Sequence, residues 1–333
     1  MLKDQTDTDI ALNEYTIGLD TSNYTTSCAV FDGRTGVNSG RPLDVPENAL
    51  GLRQSDALFM HVKYLPEVFS RLPLGSNVIA VGASAAPRET EGSYMPCFLA
   101  GVSHGEVIAR SLGKPFRRFS HQQGHAAAAA WSAGRQDLLD APMLCWHLSG
   151  GTTELLLVKP SGATVTCEAI GGTSDISCGQ LADRTGNLLG LKFPSGAALD
   201  ELASSVSGGV EYSPKTENLT FSLSGAEHKV KAMLERGAAP GEAAYFVFSA
   251  MASAIKKVTE LARRQYGDIP LLLSGGVASS RFLRRAMPDG IYAAPEYSAD
   301  NAMGIAILTF RAEKAACPNQ TAYTNPNRVH KQS

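Results

Sequence analysis

The 333-residue chain lacks any charge imbalance: 30 Lys and Arg stand against 32 Asp and Glu, a formal net charge of −2. That excludes a chain that is basic as a whole and held on nucleic acid by its own field. Contact with nucleic acid would need a local patch or a partner's basic surface. No apolar run approaches the ~18 residues of a transmembrane helix. The opening MLKDQTDTDIALNEY has no apolar centre of a signal peptide. The expectation is a cytoplasmic protein with no membrane partner. The six cysteines (Cys28, Cys97, Cys145, Cys167, Cys178, Cys317) show no C-x-x-C spacing. They read as small core residues of a reduced protein, not as a zinc or disulfide framework. Aromatic residues are 7% of the chain and scattered, which leaves no platform for stacking single-stranded bases. Walker A and strand-following G-x-G-x-x-G sequences are missing, which disfavours the P-loop and Rossmann ways of holding phosphate. H-E-x-x-H is missing too, and with it the base of a zinc protease.

What remains is a globular composition, 44% hydrophobic and 19% charged, of a length that suits about two domains at ~100–200 residues each. TIGLDTSNYTTSCAVF, Thr16 to Phe31, reads as a hairpin: apolar strand, polar turn, β-prone run. Gly51 to Leu72 reads as helix, Asn77 to Ser84 as a short buried strand, and APRETEGSYMPCF as a loop. FLAGVSHGEVIARSLG reads as a helix ending at Gly113. In SHQQGHAAAAAWSAG, Ser120 suits an N-cap, the alanines favour helix and Gly134 closes it. Arg135 to Pro142 is a polar connection. LCWHLSGGTTELLLV, Leu144 to Val158, repeats the layout of the first hairpin. Two related α/β lobes, each opening with a hairpin, follow from that layout. Further on come a Gly-rich then helical stretch (171–203), an irregular region (204–225) and a long amphipathic helix (243–266). Ile269 to Arg285 reads as strand, Gly-Gly turn and helix, and a last helix starts near Asn301.

Three turns carry small residues at the ends of apolar strands: Asp20-Thr21-Ser22-Asn23, Ser149-Gly150-Gly151-Thr152-Thr153 and Ser274-Gly275-Gly276-Val277. Glycine lets backbone N–H groups approach an anion, and hydroxyls add donors. One such turn is ordinary hairpin geometry; three together indicate a nucleotide cleft. The second signal is His121-Gln-Gln-Gly-His125. Histidines four apart share a helix face and can reach one metal ion; the plain alternative is a helix that happens to carry both. Asp300 is a candidate third ligand by residue type, although an Asp before a helix is more often an N-cap. Asp183 and Asp200 are open between a site role and a helix-surface charge. His61, His104, His147 and His228 are isolated and read as structural or solvated.

These residues resemble the tRNA threonylcarbamoyl transferase family, TsaD in bacteria, long labelled glycoprotease. The likeness runs from about Tyr15 to Ala316. It rests on IGLDTS, HQQGH, LSGGTTEL, GGTSDISCGQLADRTGNLLGLKFPSG, FSLSG, LLLSGGVASSRFLR and SADNAMGIA in order. The resemblance implies an α/β fold of the actin/Hsp70/sugar-kinase type, two lobes around a nucleotide cleft. The lobes would span residues 15–134 and 142–316, with tails at 1–14 and 317–333 and the final helix packing back towards the first lobe. It implies transfer of threonylcarbamoyl from its adenylate to N6 of adenosine 37 of tRNA. It implies one divalent metal ion, Fe2+ or Zn2+, on His121, His125 and Asp300. It implies adenylate contacts at His147, Leu148, Ser149, Gly150, Gly151, Asp183, Gly196 and Ser280. The implied partners are tRNA through a complex, a smaller actin-like paralogue, a P-loop ATPase and a second copy of the chain.

The chain also departs from the family. Asn23-Tyr24-Thr25 replaces a Cys-Asp-Glu run, Thr152 a histidine, Ser280 an asparagine, and SAAPRETEGSYMPC a Gly-Pro-Gly loop. Ser224-Gly225-Ala226-Glu227-His228 replaces Ser-Gly-Leu-Lys-Thr, and LGLRQSDALFMHVKYLP a Pro-Glu-Leu-Ala-Ser-Arg segment. The alternative expectation is therefore a catalytically altered paralogue that serves as a nucleotide- or partner-binding scaffold.

Overall fold

The computed structural model describes residues 13–22, 24–45, 52–298 and 301–317. Strands β1 (Tyr15–Asp20) and β2 (Thr25–Phe31) form the first hairpin, and β2 pairs onward with β3 (Gly36–Pro42). On its other side β1 runs parallel to β4 (Val78–Ala86), and β4 parallel to β5 (Phe116–Ser120). All six residues of β1 are buried, as a strand covered on both faces must be. Among the described residues the first sheet has the order β3-β2-β1-β4-β5.

The second sheet repeats that pattern. Strands β6 (Met143–Leu148), β7 (Thr153–Ser161) and β8 (Thr164–Thr173) form an antiparallel meander. Strand β11 (Leu271–Ser274) lies parallel to β6, and β12 (Ile291–Tyr292) parallel to β11. The run β8-β7-β6-β11-β12 is thus the same topology as β3-β2-β1-β4-β5. Two short strands, β9 (Thr216–Glu217) and β10 (Thr220–Phe221), extend its far edge. The two hairpins differ in sequence, yet they are corresponding parts of two lobes with one architecture.

Helices α1 (Gln54–Phe69) and α2 (Phe98–Ser111) cover the first sheet. Helices α4 (Cys178–Leu188), α5 (Gly196–Ser204), α6 (Ser224–Glu235), α7 (Pro240–Tyr266) and α8 (Arg281–Ala286) build the second lobe's outer layer and the cavity described below. Strand β3, strand β5 and helix α6 carry no clear periodicity and were not expected. The connection from Arg135 to Pro142 is not simply polar. It holds a 3₁₀ turn (Gln136–Asp140) that buries Leu138 and Leu139.

Two helices join the lobes. Helix α3 (His121–Ser132) carries the alanine run, and Ala126 to Ala130 are all 0% exposed. A helix that is apolar all round belongs in an interior, and alanine lets its neighbours come close. Its start is fixed by a capping box, with Gln123 N–H donating to Ser120 Oγ and Ser120 N–H to Gln123 Oε1. Helix α9 (Met303–Ala316) is buried from Met303 to Thr309. One apolar cluster unites α3 and α9 with Ala29 and Phe31 of the first sheet and Met143, Cys145, Leu156 and Val158 of the second. Each large apolar side chain there contributes about 1.5–3 kcal/mol relative to exposure.

The crossing of α3 and α9 is the tightest contact in this interior. A Cβ on Gly304 would lie 1.8 Å from Gly124 O and 2.9 Å from Gly124 Cα. Backbone cannot yield there. A Cβ on Gly124 would lie 3.0 Å from Ile305 Cδ1, the movable end of a side chain. Gly304→Ala is therefore expected to destabilise the protein by about 1–3 kcal/mol through overpacking. Gly124→Ala should be nearly neutral, since ~1 kcal/mol of helix propensity offsets the strain. Urea denaturation of both variants checks the ordering; equal effects would contradict the crossing.

Candidate functional site

The polar turns lie at the carboxyl ends of β1, β6 and β11, where open α/β sheets offer ligand crevices. His121 opens α3 and is therefore held by the capping box. Its Nδ1 lies 2.9 Å from Asp20 Oδ2 at the end of β1. Its Nε2 lies 2.8 Å from His125 Nε2 and 3.4 Å from Ser22 Oγ. The His125 ring sits 4.6 Å, centroid to centroid, from that of His147 on β6. His147 is thus not isolated, correcting the reading from residues alone: it completes a row of three imidazoles spanning both lobes. His61 and His104 do have structural partners, Thr26 Oγ1 and Ala100 O, each at 2.8 Å.

Asp20 is 0% exposed and also accepts Ser22 N–H at 3.0 Å. Burial, and then the Asp20 carboxylate, pushes the Cys97 thiol up to about 11 and raises that of Cys28 further. These thiols are inert core residues, as expected. Asp300 lies outside the described residues. Its chain neighbours Asn301 and Ala302 are buried and lead into α9 beside the His121–His125 turn. Among the described residues no group of three His, Cys, Asp or Glu side chains is arranged to hold a metal ion. Two do converge: the His121 and His125 Nε2 atoms point at one another, and paired imidazole nitrogens are fitting donors for Zn2+ or Fe2+.

The Ser149–Thr152 turn also borders a cavity of ≈ 710 Å³ lined by Gly150, Asp183, Gly196, Asp200 and Ser280, among others. The turn is closed by Ser149 N–H to Thr152 O at 2.8 Å and by Thr152 N–H to Ser149 Oγ at 3.0 Å. Helix α4 abuts it: Ser177 Oγ donates to Gly150 O at 2.6 Å, and a Cβ on Gly179 would lie 2.4 Å from Gly150 Cα. Gly151 is exposed at the tip of the turn. Leu148 points into the second lobe's core and leaves its main chain for any ligand.

Asp183 lines the cavity while its Oδ1 accepts Ser195 N–H at 2.8 Å. Asp200 is not a surface charge. It is 7% exposed and accepts Ser280 Oγ–H at 2.5 Å, Arg281 N–H at 2.9 Å and Phe282 N–H at 3.1 Å. It staples α5 to the start of α8. Ser280 lines the cavity, but its hydroxyl is engaged with Asp200 and with Leu283 N–H.

Two further groups escape a reading by spacing. The loop after β4 is fastened to the second lobe. Arg88 pairs with Glu154 on β7, which also accepts Gln122 Nε2–H at 3.1 Å. Glu89 accepts Cys167 N–H at 2.9 Å and Gln123 Nε2–H at 3.1 Å. Asp175 gathers the Ser222–Ser224 segment. Burial opposes its ionisation, but hydrogen bonds from Ser222, Ser224 and the Leu223 and Ser224 N–H groups prevail, holding the carboxyl well below its usual range.

Twin lobes of one topology, joined by buried helices and with a cavity in the second lobe beside the turn after β6, define an α/β protein with a fold of the actin/Hsp70/sugar-kinase type. Solved structures agree on the fold. Full-length HypF in a phosphate- and nucleotide-bound form has a TM-score of 0.57 and 14% identity over 90% of this chain and 46% of HypF. A ROK-family transcriptional regulator has a TM-score of 0.52 and 12% identity, covering 92% of this chain and 80% of its own. The sequence family tRNA N6-adenosine threonylcarbamoyltransferase (TsaD) matches residues 92–307, and the chain belongs to this family of acyltransferases. The Chloroherpeton thalassium enzyme of that name is 30% identical over 274 residues, 74% of this chain and 75% of the relative. The Thermus thermophilus enzyme is 27% identical over 313 residues, 91% and 94% respectively. Among the described residues no helix is long and apolar enough to cross a membrane.

Asp200→Ala should cost about 1–3 kcal/mol, because it strips two part-buried N–H groups and a buried hydroxyl of their acceptor; denaturant unfolding measures it, and unchanged stability would contradict the staple. For Asp175, a folded pKa below the unfolded ~3.9 means stability present above pH ~4 and lost as pH falls through the folded value. The stability gap between wild type and Asp175→Ala should therefore be full at pH 7 and shrink below pH ~4. A gap that widens in acid would contradict the assignment.

Proposed function

We propose that the chain transfers threonylcarbamoyl from threonylcarbamoyl-AMP to N6 of adenosine 37 of tRNA. Family membership supports the reaction, and one observation about the site carries the reading: His147, against His125, and Gly150, on the cavity wall, sit three residues apart on one strand and turn. A nucleotide in the cavity would place its phosphate at that turn, with the group it carries towards the histidines.

In this reading the Ser149–Gly151 turn offers N–H groups to the phosphate, and Asp183 accepts from ribose hydroxyls. The N6 amine attacks the carbamoyl carbon, a C–N bond forms and the C–O bond to phosphate breaks. The bonding electrons leave with AMP, and the N6 proton passes to water. AMP is a good leaving group, so that side needs little acid catalysis. His121, His125 and Asp300 would hold one divalent ion, Fe2+ or Zn2+. Bound there, it supplies a Lewis acid for the carbonyl or an anchor for the threonyl carboxylate or hydroxyl. With a net charge of −2, the chain would meet tRNA through a complex containing a smaller actin-like paralogue and a P-loop ATPase.

A second reading is a nucleotide- and partner-binding paralogue without turnover. It is favoured by the engagement of Ser280 with Asp200 and by the Arg88–Glu154 contact across the lobes. Reconstitution with threonine, bicarbonate, ATP, the adenylate-forming enzyme, the partners and tRNA separates the two. The first reading predicts t6A, lost in His121→Ala together with stoichiometric metal. Complex formation and nucleotide binding without t6A would contradict it and support the second.

A further inference from the structure

We infer that Asp20 is a positioning residue that sets the tautomer of His121 and thereby makes its Nε2 available to a metal ion. The inference rests on the metal reading above but reaches a residue outside the ligand set.

A carboxylate that is 0% exposed must be paired with donors to be tolerated. Asp20 has two. Ser22 N–H donates to Oδ1 at 3.0 Å, and the His121 ring meets Oδ2 through Nδ1 at 2.9 Å. The first donor is backbone and has no choice of role. The second is an imidazole and has two, because neutral histidine carries its proton on either nitrogen. Facing an acceptor-only carboxylate, Nδ1 must bear the proton, which leaves the lone pair on Nε2. That Nε2 is the atom 2.8 Å from His125 Nε2. Carboxylates behind ligating histidines fix ring and tautomer in this way.

The isosteric amide makes the argument testable. In Asp20→Asn the side chain offers one oxygen and one NH2. The Ser22 N–H still demands the oxygen, so the NH2 faces His121 Nδ1. The ring then has to accept at Nδ1 and carry its proton on Nε2, where it donates to His125 instead of accepting. The variant keeps the shape of Asp20, and β1 and the capping box still place both partners, so the fold is expected to survive.

Two readouts are needed, one of them independent of metal. Two-bond 15N–1H spectra of metal-stripped protein, with His121 assigned by its disappearance in His121→Asn, report the tautomer. Competition with a chromophoric chelator reports Zn2+ affinity. The expected result is a protonated Nδ1 on His121 in wild type and a protonated Nε2 in Asp20→Asn. Zn2+ affinity should fall about 10–100-fold, with the thermal midpoint within a few degrees. An unchanged tautomer, or Zn2+ affinity within twofold of wild type, would overturn the inference while leaving the metal reading standing. Wild type that takes up no stoichiometric Zn2+ would overturn the metal reading itself, and the affinity half of the inference with it, even if the tautomer changed.

Discussion

The crossing of α3 and α9 at Gly124 and Gly304 is the constraint on which the rest depends. No side chain separates the two backbones, and the alanines that follow Gly124 keep α3 thin enough to be enclosed on every side. Both lobes lean on this pair of helices: the first sheet through Ala29 and Phe31, the second through Met143, Cys145, Leu156 and Val158. Close-packed interiors transmit small displacements rather than absorbing them. A shift at the crossing would therefore reach the first turn of α3, which carries His121 and His125.

From that constraint the site follows by geometry. α3 presents two imidazoles across the interface to His147, and β1 delivers Asp20 behind the first of them. The turn after β6 then links the two parts of the site, since His147 lies against His125 and Gly150 lines the cavity. The proposed acyl transfer would need its phosphate and carbonyl positions held close together without slack. The Asp200 staple and the Ser177 contact with Gly150 hold the two walls of the cavity in register.

Local signals carried much of the fold and part of the site. Both hairpins, the Ser120 cap, the run of helix that follows it and the amphipathic α7 are written in residues close together in sequence. Their repeat was legible as layout and became identity of topology once the strands β8-β7-β6-β11-β12 could be laid beside β3-β2-β1-β4-β5. What escaped was either weakly patterned or long-range. Strand β5, FRRFS, is an edge strand with two arginines, and β3 carries two glycines and an asparagine. The Asp20–His121 contact spans 101 residues, and Ser280–Asp200 spans 80. Neither distance is visible to any periodicity, so Asp200 stayed open as a surface charge and His147 looked isolated. HQQGH and the Ser-Gly-Gly turns were legible because each is a short cluster; that HQQGH packs beside the strand leading into one of those turns was not.

The central claim is that the histidine pair and a bound nucleotide's phosphate would meet at the turn after β6. The most direct measurement is 31P relaxation of AMP bound to protein loaded with Co2+. The account predicts strong paramagnetic enhancement at the AMP phosphorus, abolished in His121→Ala while AMP still binds. AMP that binds with Co2+ present yet relaxes as it does in the metal-free protein would place the two ligands apart and contradict the account.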